Sequence, residues 1–179
     1  MLLRSSCTIF VVEKRENMKT FPIHDQQRID ALIRSCQHCT VAMTDENGIP
    51  YAIPMNFGYE NDTIYLHSAK DGRSIRALEK NPNVCIVFST NMKLVYQNVE
   101  VACSYGAQVA SVMCEGKVVF EEDFDEKVRA LNITMKQYSD RTFTYSVPAV
   151  NNVKIWKVKI EKLSAKEFGV KKAGTISFD

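Results

Sequence analysis

No apolar run in this chain approaches the roughly 20 residues that a membrane span requires. The longest N-terminal run, Cys7–Val12, is also shorter than the core of a secretion signal. The expectation is a cytoplasmic protein with no membrane partner. An excess of one charge is lacking as well: 23 Lys and Arg against 21 Asp and Glu leave a net charge of +2, spread along the chain. That excludes the basic stripe a nucleic-acid partner would need. Internal repeats, low-complexity stretches and linkers are absent, so 179 residues at 45% hydrophobic composition fit one domain with a sizeable core. Also missing are a Walker sequence, a G-x-G-x-x-G dinucleotide fingerprint and a G-x-S-x-G nucleophile elbow. An NAD(P)H donor, if used, therefore binds transiently rather than in a Rossmann domain. The one tryptophan, Trp156, sits in an alternating strand pattern and is read as core.

Cysteine is present, six times, but without the spacing of a disulfide framework. Cys85, Cys103 and Cys114 fall in apolar, strand-like runs, where a free thiol packs as a small hydrophobe. Cys36-Gln37-His38-Cys39 has the form of half a zinc site or a redox pair. A zinc site needs two further ligands, and a thioredoxin-like pair needs a βαβ setting. Neither is evident, so the segment reads as the junction between a helix and a strand. His24 is read as an exposed residue at that helix's start.

Ile29, Leu32, Ile33 and Cys36 mark one stripe of a helix that begins near Asp25. "CTVAMT", Asn47-Gly48 and "IPYAIPMNFGY" then form a hairpin signal. In its second strand Tyr51, Ile53, Met55 and Phe57 face one side and Ala52, Pro54, Asn56 and Gly58 the other. Pro54 cannot donate a ladder hydrogen bond and implies an edge, a bulge or a functional use of backbone. "TIYLH" is a third strand, a short helix spans about 72–80, and "NVCIVF" reads as a strand buried on both sides. A long strand covers about 107–120. Asp123 and Glu126 then resemble a capping arrangement before a helix whose apolar face is Phe124, Val128, Leu131, Met135 and Tyr138. "VKIWKVKIEKL" is the last strand. The sum is an α+β chain, mainly β, with about six antiparallel strands on a small barrel or strongly curled sheet. Residues 1–17 are read as an N-terminal extension, 18–165 as the domain and 166–179 as a polar tail.

Chemistry is most concentrated in "IYLHSAKDGRSIRAL", residues 64–78. A strand ends at His67, the small residues Ser68, Ala69 and Gly72 permit close approach to the backbone, and Lys70, Arg73 and Arg76 precede or open a helix. Free N–H groups at such an N-terminus, together with the helix dipole and nearby cations, favour a phosphate. The same residues also suit a solvated turn followed by a basic surface helix.

The stretch "DENGIPYAIPMNFGYENDTIYLHSAKDGRSIRALEKNPNVCIVF" resembles the flavin-binding split-barrel family related to pyridoxamine-phosphate oxidase, in its nitroimidazole-reductase-type branch. Members of that branch carry a G-x-P-x-x-x-P strand, an I-Y-x-H-x-A-x-x-G-x-K loop, matched here up to Ser74 in place of the Lys, and an N-P-x-V strand. "ACSYGAQVASVMCEGKVVFEEDFDEKVRAL" is similar to the branch's later strand and helix, so the likeness covers about residues 22–165. It implies a six-stranded antiparallel split β-barrel with flanking helices, dimeric, with FMN in clefts between subunits. It also implies an oxidoreductase that reduces a small aromatic or nitro-aromatic substrate. Related split barrels bind haem, or hold flavin without turnover, and that alternative stays open. A pyridoxamine-phosphate oxidase proper is disfavoured, because residues 153–179 lack that enzyme's arginine-rich motif.

By the same resemblance the flavin phosphate falls at Ser68, Ala69, Arg73 and Ser74, with Lys70 as an additional cation. Pro54, Met55 and Asn56 fall beside the isoalloxazine ring, and Ser111 and Val112 line the same cleft. The family usually carries Lys where this chain has Ser74, so Arg73 or Lys70 must supply that charge. His67, the family's recurring histidine, either protonates or orients substrate, or only hydrogen-bonds the cofactor or caps the helix. No metal site is expected.

Overall fold

The computed structural model describes residues 19–170. The expected N-terminal extension, residues 1–17, lies outside them, as do residues 18 and 171–179. The elements run β1 (Lys19–Ile23), α1 (Gln26–Ser35), β2 (Cys39–Thr44), β3 (Pro50–Met55), β4 (Gly58–Glu60), β5 (Thr63–Ala69), α2 (Arg73–Lys80), β6 (Asn83–Ser89), β7 (Lys93–Val95), β8 (Gly106–Glu121), α3 (Phe124–Lys136), α4 (Val147–Asn151) and β9 (Val153–Val170). The strands pair in the order β3-β2-β6-β8-β9-β5-β4, with β1 added to β9 and β7 to β8, and every ladder is antiparallel.

The fold is mainly β with a few helices, as the sequence implies, but the described residues form nine strands where six were expected. Among the described residues the ladder also stays open between β3 and β4. The additional strands β1, β4 and β7 are five, three and three residues long, too short to show a period of two. One expected strand is split. Phe57 breaks from β3, buries its ring completely, and its N–H donates to Tyr138 Oη at 2.9 Å instead of to a neighbouring strand. At the other end of the chain, residues 166–170 continue β9 against β1 and β8 rather than opening a tail.

Alternation along the strands fills the inside of the curled sheet. Val41 and Met43 of β2, Ile64 and Leu66 of β5, Ile86 and Phe88 of β6, Val112 and Cys114 of β8, and Trp156 and Val158 of β9 form one core cluster. Strand β6, expected to be buried on both faces, alternates instead: Val84, Ile86 and Phe88 are buried while Cys85 and Val87 are half-buried. Helix α1 starts where Asp25 Oδ1 accepts from the N–H groups of Gln27 and Arg28, a cap that stabilises by about 1 kcal/mol. It buries Ile29 and Ile33 in the core.

Helix α3 is capped by Asp123, whose side chain accepts from Glu126 N–H at 3.0 Å. Its buried stripe is not the expected Phe124–Tyr138 face, which is only half-buried or exposed, but Lys127, Ala130 and Thr134. The cause is a close backbone approach. A Cβ on Gly58 of β4 would stand 2.7 Å from Thr134 N, so the helix meets the sheet along its small residues and its large apolar ones flank the contact. Ala130 packs there with Tyr65 and Ile155 in a second, smaller cluster.

Candidate functional site

Strand β5 ends at Ala69, and four residues later α2 begins behind Gly72. Gly72 has φ 131°, provides no side-chain cap, and has open space where a Cβ would stand. The first helical backbone bond runs from Arg76 N–H to Gly72 C=O at 3.1 Å, which leaves the N–H groups of Arg73, Ser74 and Ile75 ahead of the ladder. An uncapped amide terminus beside open space, with Lys70 exposed in the preceding turn, is an anion-binding arrangement.

Arg73 is less free than its sequence position suggests. Its Nη2 and Nε donate to Asp45 Oδ2 at 2.7 and 3.3 Å, and its guanidinium lies 4.2 Å from the centre of the Tyr51 ring. Asp45 Oδ1 meanwhile accepts from the N–H groups of Asn47 and Ile49, both at 2.9 Å, and so builds the β2–β3 turn. The Arg73 guanidinium and the two turn amides hold the Asp45 carboxyl below the usual carboxylate range. Asp45 belongs to none of the motifs read from the sequence; an Asp two residues before Asn-Gly is its one signal there. The pair has a useful geometric effect, since it brings the start of α2 against the start of β3. Pro54 lies three residues further along that strand, about 10 Å away.

The other expected residues divide by strand face. Pro54 is exposed on β3, which is an edge strand, as its missing N–H requires. Met55 is half-buried on the opposite face, and its carbonyl accepts from the Cys39 thiol at 3.5 Å. Asn56 is exposed just beyond the strand. On β5, His67 lies opposite Ile155 on the outer face, and Ser68 turns inward. The Ser68 hydroxyl donates to Ala69 C=O at 2.8 Å and accepts from Trp156 Nε1 at 3.1 Å, so it is already engaged. Ala69 is exposed and Ser74 half-buried.

On β8, Ser111 faces outward and is half-buried, whereas Val112 is 1% exposed inside the core. The side chain of Val112 therefore does not line a cleft; alternation sends these two neighbours to opposite faces. Nor does one chain bring Ser111 to Pro54. The register Pro54–Thr40–Val87–Met113 puts β8 three strand spacings from β3, about 14 Å.

His67 carries the one buried side-chain polar atom without a hydrogen-bond partner among the described residues, Nδ1. Burial pushes the imidazole pKa down, which favours the neutral ring. A neutral, unpartnered ring nitrogen at this depth costs free energy that a polar ligand would recover.

Cys36 is the C-cap of α1 and Cys39 opens β2. Both thiols are buried and donate to carbonyls, Cys36 to Leu32 at 3.3 Å. Burial raises the Cys36 pKa and pushes Cys39 up to about 12, the reverse of a reactive or metal-binding thiolate. Among the described residues no group of three or more His, Cys, Asp or Glu side chains could hold a metal ion.

The family model for pyridoxamine 5'-phosphate oxidase matches residues 25–167, nearly all of the described residues. This chain belongs to the pyridoxamine 5'-phosphate oxidase family. Within the family fold, it is similar to a structure from Bacteroides thetaiotaomicron named as a candidate 5-nitroimidazole antibiotic resistance protein. The two are 51% identical with a TM-score of 0.78, over 86% of this chain and 90% of that one. Two more distant structures share the fold. The flavocytochrome Anf3 of Azotobacter vinelandii is 22% identical with a TM-score of 0.71, over 88% of this chain and 72% of that one. An FAD- and haem-binding protein of Mycobacterium smegmatis is 16% identical with a TM-score of 0.74, over 86% and 76%. Among curated protein sequences nothing matches. Among the described residues no helix is long and apolar enough to cross a membrane.

Proposed function

We propose that the chain is an FMN-binding oxidoreductase that reduces a small aromatic or nitro-aromatic compound with electrons from NAD(P)H or another donor. One observation carries the reading: the uncapped N-terminus of α2, facing open space and flanked by Lys70 and Arg73, in a member of the pyridoxamine 5'-phosphate oxidase family. The residues present suit a flavin phosphate. The amides of Arg73, Ser74 and Ile75 and the Lys70 ammonium would receive it, and the unengaged edge of Arg73 supplies the charge that Ser74 does not. Ala69 and Gly72 leave room for the group to approach.

When bound, FMN supplies the hydride or electron transfer. The chain contributes position and polarity. The Arg73–Asp45 pair fixes the phosphate loop relative to β3, and the edge-strand backbone at Pro54–Asn56 can hydrogen-bond the ring's polar rim because Pro54 interrupts ordinary pairing. His67, neutral and half-buried on the outer face, offers one nitrogen lone pair and one N–H to whatever docks there.

The reading extends to a homodimer with the flavin at the subunit interface, working in the cytoplasm. Its support is the outer face of β3, β2, β6 and β8, where Ala52, Pro54 and Met113 are exposed and Ser111 is half-buried. The buried free thiols Cys36, Cys39 and Cys114 suit a reducing compartment. Absorbance of the purified protein, with cofactor extraction, tests the proposal. A flavin spectrum that bleaches with NAD(P)H or dithionite supports it. A Soret band would instead assign haem, and bound flavin that no donor reduces would assign storage or sensing.

A further inference from the structure

The C-terminal ends of α1 and α3 converge on the start of the β3–β4 link and leave a cavity of about 390 Å³, within the range of small-molecule sites. Arg34, Cys36, Asn56, Gln137 and Tyr138 line it. No carboxylate does, and Arg34 is its one charged group.

Three of the lining side chains are fixed by hydrogen bonds. The Gln137 amide nitrogen donates to Arg34 C=O at 2.8 Å and to Cys36 C=O at 3.0 Å, which binds the two helix ends together and satisfies the last α1 carbonyls. Tyr138 Oη accepts the Phe57 N–H at 2.9 Å, which holds the phenol in place and occupies a lone pair rather than its proton. Arg34 is held by Nη1 donating to Tyr59 C=O at 3.2 Å and by its guanidinium lying 5.2 Å from the centre of the Tyr59 ring. Arg34, Tyr138 and Asn56, all donor-bearing side chains, thus line one space, with Arg34 its single cation.

We propose that this cavity is a binding site for a small planar carboxylate, held by Arg34 and by the hydroxyl of Tyr138. The guanidinium provides the charge and the paired N–H geometry that a carboxylate matches, and the phenol provides a third, fixed donor. The volume admits one aromatic ring bearing that group. Asn56 stands both at the cavity and at the proposed flavin ring, so on the flavin reading the site is where a carboxylate-bearing substrate or effector would sit; binding itself requires no flavin.

The test is calorimetric titration of the full chain, as purified, with benzoate and separately with benzamide, on wild type, Arg34→Gln and Tyr138→Phe, each checked for an unchanged melting profile. Wild type is expected to bind benzoate at least tenfold more tightly than benzamide. Arg34→Gln should abolish that preference, and Tyr138→Phe should weaken benzoate several-fold while preserving it. Equal affinity for the two probes, no benzoate binding, or a preference that survives Arg34→Gln would overturn the proposal. Should Tyr138→Phe melt early, because Phe57 N–H loses its acceptor, Arg34→Gln alone decides. Titration with FMN in parallel separates the outcomes: a chain that selects benzoate but refuses FMN loses the flavin reading and keeps this site.

Discussion

Asp45 accepts Nε and Nη2 of Arg73 on one carboxylate oxygen and two backbone N–H groups of the β2–β3 turn on the other. One buried acid thus ties the hairpin turn to the first residue of α2. The phosphate loop and the strand proposed for the flavin ring are positioned by a residue that touches neither ligand end.

Asp45→Asn should separate these two duties. The turn amides keep an acceptor, but Arg73 loses its charged partner and its fixed orientation. FMN affinity should fall by roughly tenfold while riboflavin, which lacks the phosphate, binds unchanged. Fluorescence titration with both flavins measures this; equal losses for the two would mean that the variant has simply damaged the hairpin.

Acid should act through the same residue. The native Asp45 pKa lies below the unfolded value, so its contribution to stability is present above about pH 4 and is lost as pH falls through the lowered native value. His67 adds a separate, higher window. Its native pKa is also lowered, so the unfolded chain takes up a proton first, and stability falls as pH drops below about 6.5 towards the native value. Melting temperature measured from pH 8 to pH 3 should show both declines, and His67→Asn should flatten only the upper one.

Gly58→Ala should destabilise the fold by about 1–3 kcal/mol, because the new methyl meets the α3 backbone at Ile133 and Thr134 rather than a side chain that can move. For a chain of this size that is a fall of roughly 3–10 °C in melting temperature. Calorimetry reads it directly, and an unchanged melt would contradict the packing described for α3.

Trp156 gives an internal reporter. It is 0% exposed and donates to Ser68, one residue from the proposed phosphate loop. FMN binding should quench its emission in proportion to occupancy, with no other tryptophan to confuse the signal. Trp156→Phe should remove the signal and cost on the order of 1–3 kcal/mol, since it opens space in the core and leaves Ser68 with one partner fewer.

The long elements were legible because their periodicity is local. α1, α3, β5, β8 and the Asn47-Gly48 hairpin appear in the sequence close to where the structure has them. The Asp123 cap was also visible as a residue type at the right spacing, and the first helix was expected to begin near Asp25, which is its cap. What escaped depends on distant partners. β1 and the last five residues of β9 are strands because they pair with each other, and neither alternates clearly enough to announce itself. The buried stripe of α3 follows from Gly58, some seventy residues earlier. At the site, a phosphate loop can be read from Gly72 and its neighbouring cations, but the capture of Arg73 by Asp45 cannot. The Val112 side chain was out of place for a simpler reason: alternation turns it into the core while Ser111 faces outward.

The central claim is that the β5–α2 loop and β3 hold FMN, and the absorbance spectrum of the purified protein tests it most directly, combined with extraction and identification of any released cofactor. The purified protein should be yellow, its flavin bands should vanish on reduction, and the extracted cofactor should be FMN. A colourless protein that also fails to take up added FMN would contradict it.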